Sequence, residues 1–82
     1  MKIIWDERKR LANISKHGFD FADLTEGFFL TSAIVAVQYG HQMAVGRLAD
    51  NTVAVVFAFL GTEGLSVISM RVADRKEREL LK

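Results

Sequence analysis

The sequence has no cysteine, no proline and only two histidines, at positions 17 and 41. Without cysteine the chain can form neither a disulfide nor a thiolate metal site, and it has no thiol nucleophile. The separation of the histidines matches no common pattern of metal ligands, so we expect no metal and no cofactor. The chain also lacks the run of about 18 apolar residues that a membrane-spanning helix needs. Because its start leads directly into charged residues rather than a signal peptide, we predict a cytoplasmic protein without membrane contact.

Charge is scarce in the middle of the chain and concentrated towards its ends. The net charge of +1 is weak evidence for nucleic-acid binding, which usually needs a far more basic domain. However, residues 8–17 contain four lysines and arginines, a histidine and no acid, and residues 71–82 contain five cations against three acids. Such ends would suit an anionic partner. Ordinary solvated helix surfaces show the same clusters, so charge alone leaves both interpretations open.

The hydrophobic pattern and the turn signals predict one α+β domain over residues 1–82. In this domain two N-terminal helices and one C-terminal helix flank a twisted, mainly antiparallel sheet. The expected strands are 2–5, 33–38, 42–48, 52–60 and 65–71. Asp20 is the expected N-cap of the second helix, which should end near Gly27. Asp74 should cap the last helix and form a capping box with Glu77.

The first helix should begin after the N-cap Asp6 and end at Lys16 or His17, where Gly18 supplies a left-handed residue. At about 100° per residue, its side chains separate into two sides. The apolar side consists of Leu11 and Ile14, and the opposite side of Lys9, Asn13 and Lys16. We expect the apolar side to face the core and the opposite side to face water.

Some of the polar residues have the chemistry for RNA cleavage without a metal. That reaction needs a base for the 2′-hydroxyl, an acid for the leaving oxygen and cations for the charged phosphorane. Histidine and lysine can transfer the protons, and arginine fits phosphate oxygens. Arg71 follows Ser69 at the end of a strand, where it could face a phosphate. His17 at a helix end, His41 in a turn and Arg47 on a strand also have plainer interpretations as surface groups, and spacing does not decide between them.

Two segments at the ends of the chain carry a recognisable pattern. The first has a Trp-Asp-Glu junction followed by Asn and Lys-His-Gly, and the second has an Ile-Ser-x-Arg strand followed by Arg-x-Glu-Arg. The residues concerned are Trp5, Asp6, Glu7, Lys9, Asn13, Lys16, His17, Gly18 and Phe21, then Ile68, Ser69, Arg71, Ala73, Arg75, Glu77 and Arg78. Together, in this order, the two segments resemble the BrnT family of bacterial toxins, which are small ribonucleases with a RelE-like fold.

The resemblance implies the toxin of a type II toxin–antitoxin pair, acting as a metal-independent endoribonuclease that inhibits translation. It also implies a BrnA-like antitoxin protein as partner and RNA as substrate. The candidate site residues are Lys9, Lys16, His17, His41, Arg47 and Arg71. In this interpretation the arginines hold phosphate, and a histidine or lysine transfers protons.

The middle of the chain departs from the family pattern, which usually has a Gly-Glu-x-Arg cluster in the hairpin. Here residues 38–46 contain neither a carboxylate nor an arginine ahead of Arg47. An alternative is therefore a catalytically inactive family member that binds a partner protein in an antitoxin or repressor complex. A general RNA-binding module is a third interpretation. Whether copies of the chain also associate with one another stays open.

Overall fold

The computed structural model describes residues 1–82 and has the predicted α+β class. A five-stranded mixed sheet has the strand order β1-β5-β4-β3-β2, in which β1 runs parallel to β5 and the other neighbours are antiparallel. The strands are β1 (Lys2–Trp5), β2 (Ala33–Ala36), β3 (Gln42–Leu48), β4 (Asn51–Leu60) and β5 (Gly64–Val72). The helices are α1 (Glu7–His17), α2 (Glu26–Thr31) and α3 (Arg75–Glu79).

Local capping chemistry sets the ends of α1 and the start of α3, as the sequence predicts. The Asp6 carboxylate accepts a hydrogen bond from the Arg8 amide at 2.8 Å, and Gly18 ends α1 with a left-handed φ of 78°. At α3, Asp74 and Glu77 form a capping box, in which each side chain accepts from the backbone amide of the other residue. The two helices that carry most of the candidate site residues and their partners are therefore fixed by short-range signals.

The second helix differs from the prediction. Asp20 caps only a short 3-10 turn over 21–23, and Leu24 then returns to extended backbone. Thr25 supplies a second cap, since its hydroxyl accepts from the Phe28 amide at 3.2 Å, and α2 begins after it. The prediction that this helix ends near Gly27 is wrong because the hydroxyl of Thr25 restarts the helix there, and a threonine at this position favours a cap over a helix interior.

The main core lies between the sheet and the segment formed by the 3-10 turn over 21–23 and the helix α2. It comprises eleven buried residues: Phe21, Leu24, Phe28, Phe29, Ala44, Val53, Val55, Phe57, Leu65, Val67 and Met70. We call the sheet face that these side chains cover the helix face. Because side chains alternate along a strand, Met43, Val45 and Arg47 project from the opposite face, where Val45 packs in a smaller cluster with Ala54 and Ala73.

No helix is both long and apolar enough to cross a membrane.

A register shift in β5 lies next to the helix α1. Val56 of β4 pairs with Ser69, but the next residue, Phe57, pairs with Val67, so Ile68 is an extra residue in β5. Bulges of this kind bend a strand and redirect its side chains. The bulge follows directly after the last residue that β1 covers, since Trp5 pairs with Val67. It therefore places Ile68 and Ser69 where the edge of β5 is free of β1.

Candidate functional site

Three of the predicted site residues line one shallow cleft between α1 and β5. Lys9, Lys16 and His17 form its helical wall, and Ile68 and Ser69 of the bulged strand form the opposite wall. The cleft has a volume of about 250 Å³, and Ala12 and Asn13 complete its lining. Lys9, Asn13 and Lys16 follow one another at steps of four and three residues, and such positions share one side of a helix, which explains why the two lysines converge. No carboxylate lines the cleft, so the two lysines carry its only formal charges.

Asn13 joins the two walls. Its side-chain amide donates to the Met70 carbonyl at 2.9 Å and to the Phe19 carbonyl at 3.0 Å, and its side-chain oxygen accepts from the Met70 amide at 3.0 Å. Only 6% of Asn13 is exposed, so the prediction that it lies on a solvent-facing side of α1 is wrong. The strand β1 ends opposite Val67, so the backbone of Met70 has no neighbouring strand on that edge of β5. Asn13 is buried because its side chain supplies the hydrogen bonds there instead. The signal in the sequence was an asparagine in mid-helix, where its propensity is poor.

The apolar side predicted for α1 is not its packing side. Leu11 is 54% exposed, and Ile14 is only half-buried. The helix instead contacts β5 through the side that carries Asn13, and the predicted shared side of Lys9 and Lys16 is confirmed by their common cleft. A polar contact to the strand edge therefore replaces the expected apolar stripe, because two residues such as Leu11 and Ile14 bury too little area to orient a helix.

The neighbouring Arg10 is neutralised by carboxylates outside the cleft. Its guanidinium bonds Glu7 at 2.7 Å and Asp20 at 2.9 Å. The hydrogen bond from Arg10 lowers the pKa of Glu7. The pKa of Asp20 is lowered mainly by a hydrogen bond from the Ala22 amide and to a smaller extent by the hydrogen bond from Arg10. Lys9 and Lys16 take part in no salt bridge of this kind. Arg8, Lys9 and Lys16 are therefore the cations of α1 that remain available to an anion, and the two lysines among them line the cleft.

Arg71 lies beside the cleft but is paired with an acid. Arg71 and Ser69 are two residues apart on one strand and project from the same sheet face, about 7 Å apart along the strand. Both terminal nitrogens of Arg71 donate to the Glu77 carboxylate of α3, at 2.7 and 2.8 Å. These hydrogen bonds raise the pKa of Arg71 and lower that of Glu77. In this structure the guanidinium therefore faces a carboxylate at the position where a phosphate-facing role was predicted.

The last two candidates lie farther from the cleft. Arg47 is exposed on β3 and pairs with Thr52 of β4, and Arg71 of β5 pairs with Ala54 of the same strand. Because Thr52 and Ala54 are two residues apart, Arg47 and Arg71 project from the same sheet face, with β4 between them. His41 precedes the other end of β3, so most of the length of that strand separates it from Arg47. The structure thus brings together three candidates in the cleft, places Arg71 next to them and leaves Arg47 and His41 apart. No group of three His, Cys, Asp or Glu side chains is arranged to hold a metal ion.

Comparisons with known proteins match almost the entire chain. The family described as "Ribonuclease toxin, BrnT, of type II toxin-antitoxin system" matches residues 5–77. Among solved structures, the chain is similar to the 1.1 Å crystal structure of the Brucella abortus ribonuclease toxin, BrnT, with 50% sequence identity and a TM-score of 0.86. That similarity covers 92% of this chain and 99% of the Brucella chain. A search of the curated proteins finds no match. The family match includes both walls of the cleft and the Arg71–Glu77 pair.

Proposed function

The chain belongs to the BrnT family of ribonuclease toxins of type II toxin–antitoxin systems, and we propose that it is a metal-independent endoribonuclease with a RelE-like fold. We place its action on RNA in the cytoplasm, where cleavage slows translation. The observation that carries the proposal is the cleft between α1 and β5, in which two lysines and a histidine converge without a carboxylate. Membership of a type II system implies an antitoxin partner, and the proposed antitoxin is a DNA-binding protein of the BrnA kind.

The side chains of the cleft divide the chemistry between them. His17 takes the proton from the 2′-hydroxyl or delivers one to the leaving oxygen, because an imidazole exchanges protons near neutral pH. Lys9 and Lys16 neutralise the phosphate as charge builds on its oxygens. Arg71 extends the cationic surface along the sheet face, and it can take a phosphate oxygen once Glu77 releases part of its guanidinium. Arg47 would then contact the RNA chain farther along the same face.

A cleavage assay on purified protein tests this assignment. The wild-type protein should cleave single-stranded RNA in the presence of EDTA. A His17→Ala variant should lose about 100-fold or more of that activity, as expected for a general acid or base. Lys16→Ala should reduce cleavage and RNA binding together. Lys2→Ala is the matched control, because Lys2 is an exposed lysine on β1 outside the cleft. Equal losses in Lys2→Ala and Lys16→Ala would contradict the site.

Induction in a bacterial host tests the toxin function. Growth should stop when the wild-type protein is produced and should resume when the antitoxin is co-expressed. An Arg71→Ala variant that stays folded should relieve the arrest. If the folded wild-type protein neither arrests growth nor cleaves RNA, the chain is the binding-only family member, which the uncharged hairpin before Arg47 already favours as the second candidate.

A further inference from the structure

The strand β2 forms a short free edge of the sheet, and this edge lacks charged residues, proline and a bulge. It pairs with β3 on one side and has no strand on the other. Natural proteins commonly protect such edges with charged side chains, proline or a bulge. Here there is no Asp, Glu, Lys or Arg from residue 27 to residue 46, and the chain has no proline. Four large apolar residues on or beside this edge are exposed: Leu30, Ile34, Val37 and Tyr39.

The backbone of β2 shows which groups the edge offers. The Val37 amide donates to the His41 carbonyl at 3.0 Å, and Val35 pairs with Met43 in the same register. Because hydrogen bonding alternates along an antiparallel strand, residues at odd positions of β2 direct their amide and carbonyl groups towards β3. Ile34 and Ala36 therefore direct theirs outwards. These two amides and two carbonyls are the groups that a further strand would bond.

We propose that two copies of this chain pair through β2, antiparallel, about a two-fold axis at Val35. In this register Ile34 lies opposite the partner's Ala36, and Ala36 lies opposite the partner's Ile34. Each pair exchanges two hydrogen bonds, so four bonds satisfy every outward group of both strands. The two sheets then join into one continuous sheet of ten strands. This interface goes beyond the proposed function, because the cleft at β5 lies on the other side of β4 and β3.

The uncharged sequence is suited to a second copy as the occupant. Antiparallel pairing of a strand with itself places each residue opposite one equally far from Val35 on the other side. Like charges facing each other would oppose such an interface, but residues 27–43, which flank Val35 equally, contain no charged residue. A partner recognised by charge would find no counterpart here. On the helix face, Ile34 lies opposite a small residue, the partner's Ala36. This leaves room for the exposed side chain of Ile34.

Disulfide trapping tests the interface and its register, since the chain has no cysteine of its own. In the proposed dimer the two Val35 residues form a non-hydrogen-bonded pair with their Cα atoms about 4.5 Å apart. That distance suits a disulfide, so a Val35→Cys variant should become a covalent dimer on mild oxidation. Ala33→Cys is the matched control on the same strand face. Its two copies would lie about 13 Å apart and should not crosslink.

The oligomeric state of the wild-type protein completes the test. Light scattering or sedimentation should show twice the monomer mass at high concentration. An Ile34→Lys variant should weaken association by about tenfold or more, because it places like charges on the paired edge, while its circular dichroism stays that of the wild type. A wild-type protein that stays monomeric at all concentrations would overturn the proposal. It would do so even if an antitoxin strand bound to the β2 edge. Crosslinking of Ala33→Cys as fast as Val35→Cys would overturn it too.

Discussion

The side chain of Asn13 hydrogen-bonds both the amide and the carbonyl of Met70, at 3.0 and 2.9 Å. An asparagine side chain thereby takes the place of a neighbouring strand at the point where β1 no longer covers β5. The contact joins residues that lie 57 positions apart in the sequence. It fixes α1, which carries the lysines and the histidine of the cleft, against the strand that carries Ser69 and Arg71.

Replacing Asn13 by alanine should destabilise the protein by about 2–4 kcal/mol. The change leaves the buried amide and carbonyl of Met70 without partners, and an unsatisfied buried group costs roughly 1–3 kcal/mol. The measurement is urea unfolding followed by circular dichroism. Ser15→Ala is the control, because Ser15 is exposed on the same helix and should change stability by less than about 0.5 kcal/mol. Equal stability of the two variants would show that water replaces the Asn13 contact.

Much of the fold could be predicted because its signals are local. Asp6, Gly18 and the Asp74–Glu77 box define helix ends through residues at most three or four positions away, and the structure confirms all of them. The strands follow from alternating or continuous apolar runs. The second helix was mispredicted because two capping residues, Asp20 and Thr25, lie five positions apart, and a pattern of apolar residues alone does not decide which one starts a helix.

The site was less predictable because its contacts are long-range. Helical spacing correctly placed Lys9 and Lys16 on one side, but it could not show that Asn13 on that side is buried by Met70. Charge pattern also could not show that the guanidinium of Arg71 binds Glu77 rather than water. Pairings of this kind depend on which strand ends meet which helices, and that information lies in the tertiary arrangement rather than in the spacing of residues.

Substituting Gly46 by alanine should destabilise the protein by about 1–3 kcal/mol through overpacking. A β-carbon at this position would collide with the Ser32 hydroxyl and lie 3.0 Å from Cε1 of Phe28. The hydroxyl cannot move away freely, because it donates to the Phe28 carbonyl at 2.6 Å. Gly27→Ala is the matched control. Its β-carbon would have only one neighbour, 3.7 Å away in Thr25, so it should stabilise α2 by up to about 1 kcal/mol. Thermal unfolding of both variants distinguishes these effects, and a neutral Gly46→Ala would contradict the close contact.

The Arg71–Glu77 pair should make stability depend on pH in the acid range. Because the folded state lowers the pKa of Glu77, the pair stabilises the protein above the ordinary glutamate pKa of 4.5 and loses this contribution as the pH falls through the folded value. A Glu77→Gln variant should therefore be less stable than the wild type at neutral pH by about 1 kcal/mol, allowing for solvent around the partly exposed Arg71. The difference should shrink in acid. Glu79→Gln, in an exposed pair with Lys82, should show little of either effect. A difference that persists unchanged in acid would contradict the assignment.

The helix α3 should be the least protected element of the free protein in hydrogen exchange. It spans only five residues, Arg75–Glu79, and helices of this length are marginal in water. Its connection to the sheet consists mainly of polar contacts, namely the Arg71–Glu77 pair and a 3.0 Å bond from Arg78 to the Ala73 carbonyl. The apolar residues that follow it, Leu80 and Leu81, remain 43% and 37% exposed.

Because few apolar contacts hold α3, it should open more often than the central strand β4 and should become protected when the antitoxin covers Leu80 and Leu81. Hydrogen exchange of residues 75–82 and 53–59, measured with and without the antitoxin, tests this expectation. Opening of α3 would also carry Glu77 away from Arg71, so exchange in α3 should quicken in a Glu77→Gln variant while exchange in β4 stays unchanged. Protection of α3 in the free protein equal to that of β4 would show that its polar contacts alone hold it in place.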